Sequence, residues 1–202
     1  MSIPSNYAII GSGAIGSALA RRFAAHGVPA QIANTRGPGS LQPLAVELGG
    51  GLQPVELAEA LRADVIILAV PFAAVADAVA GAADWNGRIV VDATNAINFT
   101  DFSPADLGGR LSSHIVAEQV PGAALVKAFN TLPAAILAQE PRHSAGRRTL
   151  FISSDYPEAA GTLAALADRL GFAPVFLGEI AKGGALQQFG GPLIGHSFLM
   201  QA

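Results

Sequence analysis

The sequence predicts an α/β fold: a doubly wound, mostly parallel sheet of Rossmann type with helices on both faces. Three observations carry that expectation. Short apolar runs alternate with longer stretches of helical periodicity along nearly all 202 residues, as successive βαβ units do. Val65-Ile66-Ile67-Leu68-Ala69-Val70 is apolar at every position, which suits a strand covered on both faces. The runs are punctuated by Gly, Pro, Asn and Asp, the residues that turns demand. With 51% hydrophobic and 13% charged residues, a chain of this length buries roughly 70% of its extended surface and needs no metal or disulfide to hold a core.

Tyr7-Ala8-Ile9-Ile10 forms the first strand and stops at Gly11. Residues 14–26 read as a helix, because Ile15, Leu19 and Phe23 recur every four positions. His26 closes it, where a positive ring suits the helix dipole, and Gly27 follows as the left-handed closing residue. Residues 30–33 form a strand, 41–48 a helix ended by three glycines, 52–54 a short strand and 55–61 a short helix. Residues 65–70 form the buried strand, followed by a helix over 72–82 and a strand over 89–91 that runs into Asp92-Ala93-Thr94-Asn95. Residues 96–110, broken by Pro104, Gly108 and Gly109, are expected to be irregular, and 113–119 helical. Residues 125–129 form a strand ending in Asn130-Thr131, and 134–139 a helix. Strands at 149–152 and 173–176 flank a helix over 157–170. The whole chain, 1–202, reads as one domain. Its Gly-rich segment 183–202 carries Phe189, Leu193, Ile194, Phe198 and Leu199 and is expected to pack over the cleft or against a second subunit.

Composition removes several function classes. Twelve Lys and Arg against fifteen Asp and Glu leave a net charge of −3, so no basic excess exists to neutralise nucleic-acid phosphates. The absence of cysteine removes disulfides, a thiol nucleophile and thiolate-bound metal. Residues 1–6 lack a basic n-region and a long apolar core, so no signal peptide is expected. The most apolar stretch, 65–83, is interrupted by Pro71 and Asp77 and falls short of a spanning helix. A cytoplasmic protein with no membrane or nucleic-acid partner is expected.

Gly11-Ser12-Gly13-Ala14-Ile15-Gly16 is a G-x-G-x-x-G that follows a strand and opens a helix, the context in which the pattern grips a dinucleotide. The first glycine permits the tight turn, the second admits the pyrophosphate to the backbone, and the third lets helix and strand pack closely. Free N–H groups at the helix start then face the anion. At the end of the second strand, where an NAD site places an acid for the ribose 2′-OH, this chain has Asn34-Thr35-Arg36. A carboxylate would repel a 2′-phosphate, whereas Arg36 pairs with it and Asn34 and Thr35 hydrogen-bond to it. NADP(H) is therefore expected over NAD(H). Further strand ends at Val70-Pro71-Phe72, Thr94-Asn95 and Asn130-Thr131 are candidates for the same ligand, because open α/β sheets bind at the carboxyl ends of their strands. Helix capping is the alternative duty of the Asn and Thr residues among them.

These blocks, in order and together with Val126-Lys127-Ala128-Phe129-Asn130-Thr131, Phe151-Ile152-Ser153-Ser154-Asp155, Leu170-Gly171-Phe172 and Gly190-Gly191-Pro192-Leu193, resemble the NADP oxidoreductase family named for coenzyme F420. The resemblance implies a Rossmann domain, a homodimer, and hydride exchange between NADPH and a deazaflavin. It implies that Thr35 and Arg36 take the 2′-phosphate and that Ser12, Ala14 and Ile15 line the pyrophosphate turn. It speaks more strongly for the NADPH half than for the acceptor, which F420 or a flavin would fill.

Hydride transfer between two rings needs no protein nucleophile, and no residue is marked as certainly catalytic. His114 is a candidate proton donor, since histidine titrates near neutrality, with surface or capping duty as its alternative. The four histidines lack metal-ligand spacing, and no metal is expected. Arg142, His143, Arg147 and Arg148 form a local basic cluster, either a solvated loop or a contact for an anionic acceptor tail. Two rival functions remain: a non-catalytic NADP(H) sensor, and a reductase of a small imine or keto substrate. The second normally adds a helical domain of about 100 residues, for which the sequence after the last nucleotide strand is too short.

Overall fold

The computed structural model describes residues 6–82 and 84–201; the segment read for a targeting signal lies, Asn6 apart, outside them. β1 (Tyr7–Ile10) leads through the glycine turn into α1 (Ala14–Ala25), and β2 (Ala30–Ala33) through a 3-10 turn into α2 (Gln42–Leu48). β3 (Leu52–Pro54), α3 (Leu57–Ala60), β4 (Val65–Leu68), α4 (Val75–Val79) and β5 (Ile89–Asp92) follow. β1 lies between β2 and β4, with Ile9 opposite Ile32 on one side and Ile67 on the other. After β5 come a small hairpin, β6 (Ile97–Asn98) and β7 (Ser103–Pro104), then α5 (Ser112–Gln119) and β8 (Ala124–Ala128). The parallel strands run β3-β2-β1-β4-β5-β8, the order that places a dinucleotide across the point where the chain reverses between β1 and β4.

The apolar runs are continuous because both faces are covered. Tyr7, Ile9, Val65, Ile67 and Val91 point to a core shared with Leu19 and Phe23 of α1. Their sequence neighbours Ala8, Ile10, Ile66, Leu68 and Val90 point the other way, against Ala60, Val75, Val79 and Val116. That is the two-residue period of a strand.

Parallel winding stops after β8. α6 (Ala134–Leu137) docks beside α1 instead of returning the chain across the sheet, and β9 (Arg142–His143) turns into β10 (Gly146–Ser154) as a hairpin. β10 therefore runs antiparallel to β8, with Ile152 opposite Ala128. α7 (Pro157–Arg169) then crosses to β11 (Ala173–Phe176), parallel to β10. Without a helical crossover a parallel neighbour cannot be reached. Several expected bounds also change. The strand expected over 65–70 ends at Leu68, the helix expected over 72–82 is a 3-10 turn followed by α4, and the segment 96–110 contains the β6–β7 hairpin. After a π-helical turn at Ile180–Gly184, α8 (Ala185–Gln187) and β12 (Leu199–Met200) close the chain, β12 pairing with the start of β10. Among the described residues no helix is long and apolar enough to cross a membrane.

Candidate functional site

The glycine turn is held by contacts that only glycine allows. Gly11 sits at φ +108°, and a Cβ there would lie 2.3 Å from the Ala69 carbonyl oxygen at the end of β4. A Cβ on Gly16 would lie 2.0 Å from the Gly11 carbonyl oxygen, so the first turn of α1 rests directly on the loop. Gly13 has open space where its side chain would be, the face a ligand approaches. The Gly11 N–H donates to the Ala33 carbonyl at 2.8 Å, tying the turn to β2. α1 has no side-chain cap and no acid in its first turn. The N–H groups of Ala14, Ile15 and Gly16, which a helix start leaves without intrahelical partners, thus keep the positive end of the helix dipole available.

At the end of β2, the Asn34 side-chain oxygen accepts the Arg36 N–H at 2.9 Å, an Asx turn that presents Thr35 and Arg36 to solvent. The Asn34 amide donates to Ser12 Oγ at 2.9 Å and to Ser40 Oγ at 3.0 Å, locking the two strand ends together. Arg36 Nη2 donates to Ser12 Oγ at 3.3 Å, so its guanidinium lies beside the glycine turn. Among the described residues no carboxylate pairs with it. A guanidinium beside free helix N–H groups, with no acid paired to it, fits a phosphorylated adenosine and disfavours a bare ribose diol.

Gly11, Ser12, Gly13, Asn34, Thr35, Arg36, Val70 and Pro71 line one cavity of about 310 Å³. Ala14, Ile15 and Gly16 lie in the first turn of α1, and Phe72 packs partly buried against the second core. The same cavity is walled by Leu57, Ala74, Asp77 and Ala78, which sequence reading did not single out. Ala74, Asp77 and Ala78 are spaced three and four apart, so they share one side of the α4 turn, a signal present in the sequence. Leu57 reaches the cavity only because α3 packs beside β1 and β2, and nothing local announces it.

The other candidate strand ends are built differently. Asp92 is fully buried, and its carboxylate accepts from Lys127 Nζ at 3.0 Å, Ser113 Oγ at 2.8 Å, and the Thr94 N–H and Oγ1 at 2.9 and 2.7 Å. Lys127 also donates to the Thr94 carbonyl at 2.6 Å. Asn95 and Asn130 exchange hydrogen bonds, each at 2.9 Å. The Asn130 amide also reaches the Gln187 carbonyl at 2.7 Å. Gln187, fully buried, accepts from Ser153 Oγ and donates to the Phe151 carbonyl at 3.2 Å. Thr131 is buried, and its carbonyl accepts the Gly195 N–H at 2.8 Å. Phe129, at φ +64°, supplies the sharp left-handed step that aims Asn130 inward. Segment 183–195 thus lies against the ends of β5, β8 and β10, with Gly190 abutting Pro104 of the hairpin.

His114 is exposed on α5, a turn before Glu118, and does not line the cavity; its neighbour Ser113 turns inward. In the basic cluster Arg147 pairs with Asp168, while Arg148 bonds to Ser197 and to His143, and burial pushes its guanidinium down. Among the described residues no group of His, Cys, Asp and Glu is arranged to hold a metal ion.

The family model for NADP oxidoreductase, coenzyme F420-dependent, matches residues 6–96. No curated protein matches the chain. The crystal structure of a hypothetical protein from Sinorhizobium meliloti shares 56% identity at a TM-score of 0.95, covering 97% of this chain and 96% of that one. A candidate F420-dependent NADP reductase from Arthrobacter sp. FB24 superposes at 0.73 with 24% identity, over 87% of this chain and 86% of that one. A reductive aminase from Aspergillus terreus, in complex with NADPH and ethyl levulinate, shares the fold at 0.63 with 20% identity; this chain spans 91% of its own length and 58% of the aminase. With the glycine turn and Asn34-Thr35-Arg36 inside it, the segment 6–96 of this chain belongs to the NADP oxidoreductase, coenzyme F420-dependent, family.

Proposed function

We propose that this protein is an NADPH-dependent oxidoreductase whose hydride acceptor is a planar flavin-like ring or the deazaflavin F420. The observation that carries the reading is the cavity at the ends of β1, β2 and β4, where free N–H groups of α1 and the Arg36 guanidinium converge and, among the described residues, no carboxylate pairs with that guanidinium. Gly11, Ser12 and Gly13 would hold the pyrophosphate, and Asn34, Thr35 and Arg36 the 2′-phosphate. Bound NADPH would supply the hydride. The chain would bind, orient and exclude water, a role in which fixed geometry is worth up to about 7–11 kcal/mol. The buried Asp92–Lys127 pair holds the Thr94 backbone still at the next strand end, which suits a scaffold for ring orientation.

The partner is then a small-molecule redox acceptor in the cytoplasm, with no role for nucleic acid or a membrane. Exposed Phe99, Phe102, Leu186, Phe198, Leu199 and Met200 support a second copy of this chain as a further partner, since such apolar surface on a small protein usually meets another surface. The test is to mix the protein with NADPH and, in turn, FMN, riboflavin and F420, and to follow loss of the reduced-nicotinamide absorbance. Oxidation with one of them above the protein-free rate is expected. Tight NADPH binding with no oxidation in any mixture would replace the enzyme with a sensor.

A further inference from the structure

Within the nucleotide cavity one group has no duty in the reading above. Asp77 lines it, exposed, and among the described residues no side chain pairs with its carboxylate. It is the sole acid in a lining otherwise made of the glycine turn, the Asn34–Arg36 corner and apolar residues. A carboxylate accepts hydrogen bonds and donates none. It cannot face a 2′-phosphate or a pyrophosphate without repulsion, so its place is at the end of the ligand away from both. The walls around it, Leu57, Ala74 and Ala78, suit the faces of an aromatic base. At that end an adenosine 2′-phosphate offers one exocyclic donor, the 6-amino group of adenine.

Resting on the NADP(H) reading of this cavity, we propose that Asp77 is a specificity-determining residue that accepts a hydrogen bond from the 6-amino group of the cofactor's adenine. The chain would thereby select adenine over a base with an oxygen at that position. A hypoxanthine base would bring its 6-oxo lone pairs against the carboxylate, and an acceptor facing an acceptor is discriminated strongly when a site is built for a donor. Asp77 also sits in the first turn of α4, where an acid favours the helix in any case, so the stability of a variant is not the readout.

The experiment compares binding of NADPH with its deaminated analogue, reduced nicotinamide hypoxanthine dinucleotide phosphate, by nicotinamide fluorescence. The wild-type protein is expected to prefer NADPH by about tenfold or more, the range of a hydrogen bond to a charged group. Asp77→Ala is expected to bring the two ligands to within about twofold of each other, chiefly by weakening NADPH, while the preference for NADPH over NADH stays in place. Asp77→Asn, whose amide donates as well as accepts, is expected to tighten the hypoxanthine analogue relative to Asp77→Ala. Equal binding of the two ligands by the wild type, or an unchanged preference in Asp77→Ala, would overturn the assignment while leaving the cofactor reading intact. A wild-type protein that binds neither ligand would overturn both.

Discussion

The carboxyl ends of β1, β2 and β4 and those of β5 and β8, with the antiparallel β10 beside them, belong to one sheet, yet they spend their polar groups in opposite ways. At the first, α1 begins without a side-chain cap, Gly13 opens onto empty space and, among the described residues, the Arg36 guanidinium reaches only a serine hydroxyl. At the second, Asp92 accepts four hydrogen bonds, Lys127 makes two, and the amides of Asn95, Asn130 and Gln187 interlock beneath the last turn of the chain. A polar group left unsatisfied at the surface is ready for a ligand; one saturated in the interior is holding the fold. Residue type alone does not separate the two, since both regions are rich in Asn, Thr and Ser.

The contrast can be broken most forcefully at Lys127. Lys127→Met leaves the Asp92 carboxylate buried without its cation, and the expected cost is about 3–5 kcal/mol, read as a fall in the urea midpoint. The molecules that remain folded should bind NADPH as the wild type does. A loss below about 1 kcal/mol would mean that the interior network is not what holds these strand ends.

Arg36→Ala probes the open end. NADPH binding should weaken by about 1.5–3 kcal/mol, the worth of a charge-assisted hydrogen bond, with NADH binding and the unfolding midpoint unchanged. Equal weakening of both cofactors in titration would remove the 2′-phosphate from this corner. Thr94→Val sharpens the boundary between the two regions. It deletes the hydroxyl that donates to Asp92 at 2.7 Å and should lower stability by about 1–2 kcal/mol with no change in NADPH affinity. A selective loss of NADPH binding would move Thr94 from scaffold to ligand contact.

The smallest effect belongs to a half-exposed acid that serves as the baseline for both regions. Glu140 meets Arg22 at 3.2 Å near the end of α1 and is half exposed. Burial raises its carboxyl, but the Arg142 N–H and the Arg22 and His26 side chains outweigh that and hold it below the usual carboxylate range. A depressed carboxyl adds stability above the unfolded-state value, and that stability is lost as pH falls through the folded one. Glu140→Gln should therefore flatten the acid limb of a stability–pH curve, and by less than about 1 kcal/mol because water screens the pair. The difference between the two proteins should vanish once the pH is low enough to protonate the native carboxyl.

Much of this molecule is legible in the order of its residues. Runs such as Val65-Ile66-Ile67-Leu68 announce a sheet covered on both sides, because only such a sheet tolerates an apolar residue at every position. Gly11, Gly13 and Gly16 announce the turn, and Asn34-Thr35-Arg36 the corner beside it, because each is a local requirement on backbone or charge. Lys127, placed mid-strand among apolar neighbours, also signals a buried partner, though not which acid it would meet. The reversal of β10, the pairing of β12, the reach of Gln187 across β8 and β10 and the arrival of Leu57 in the nucleotide cavity carry no such local mark.

Residue order thus determined the winding of the six parallel strands and the chemistry of the glycine turn, since these follow from side-chain periodicity and from what a backbone without a Cβ can do. Tertiary packing decided which polar strand ends stay open and which are locked. That outcome depends on partners 21 to 57 residues distant in the chain, as with Ser113 against Asp92, Asn95 against Asn130 and Asn130 against Gln187, and such distances are set by the docking of helices and the final segment rather than by any local pattern.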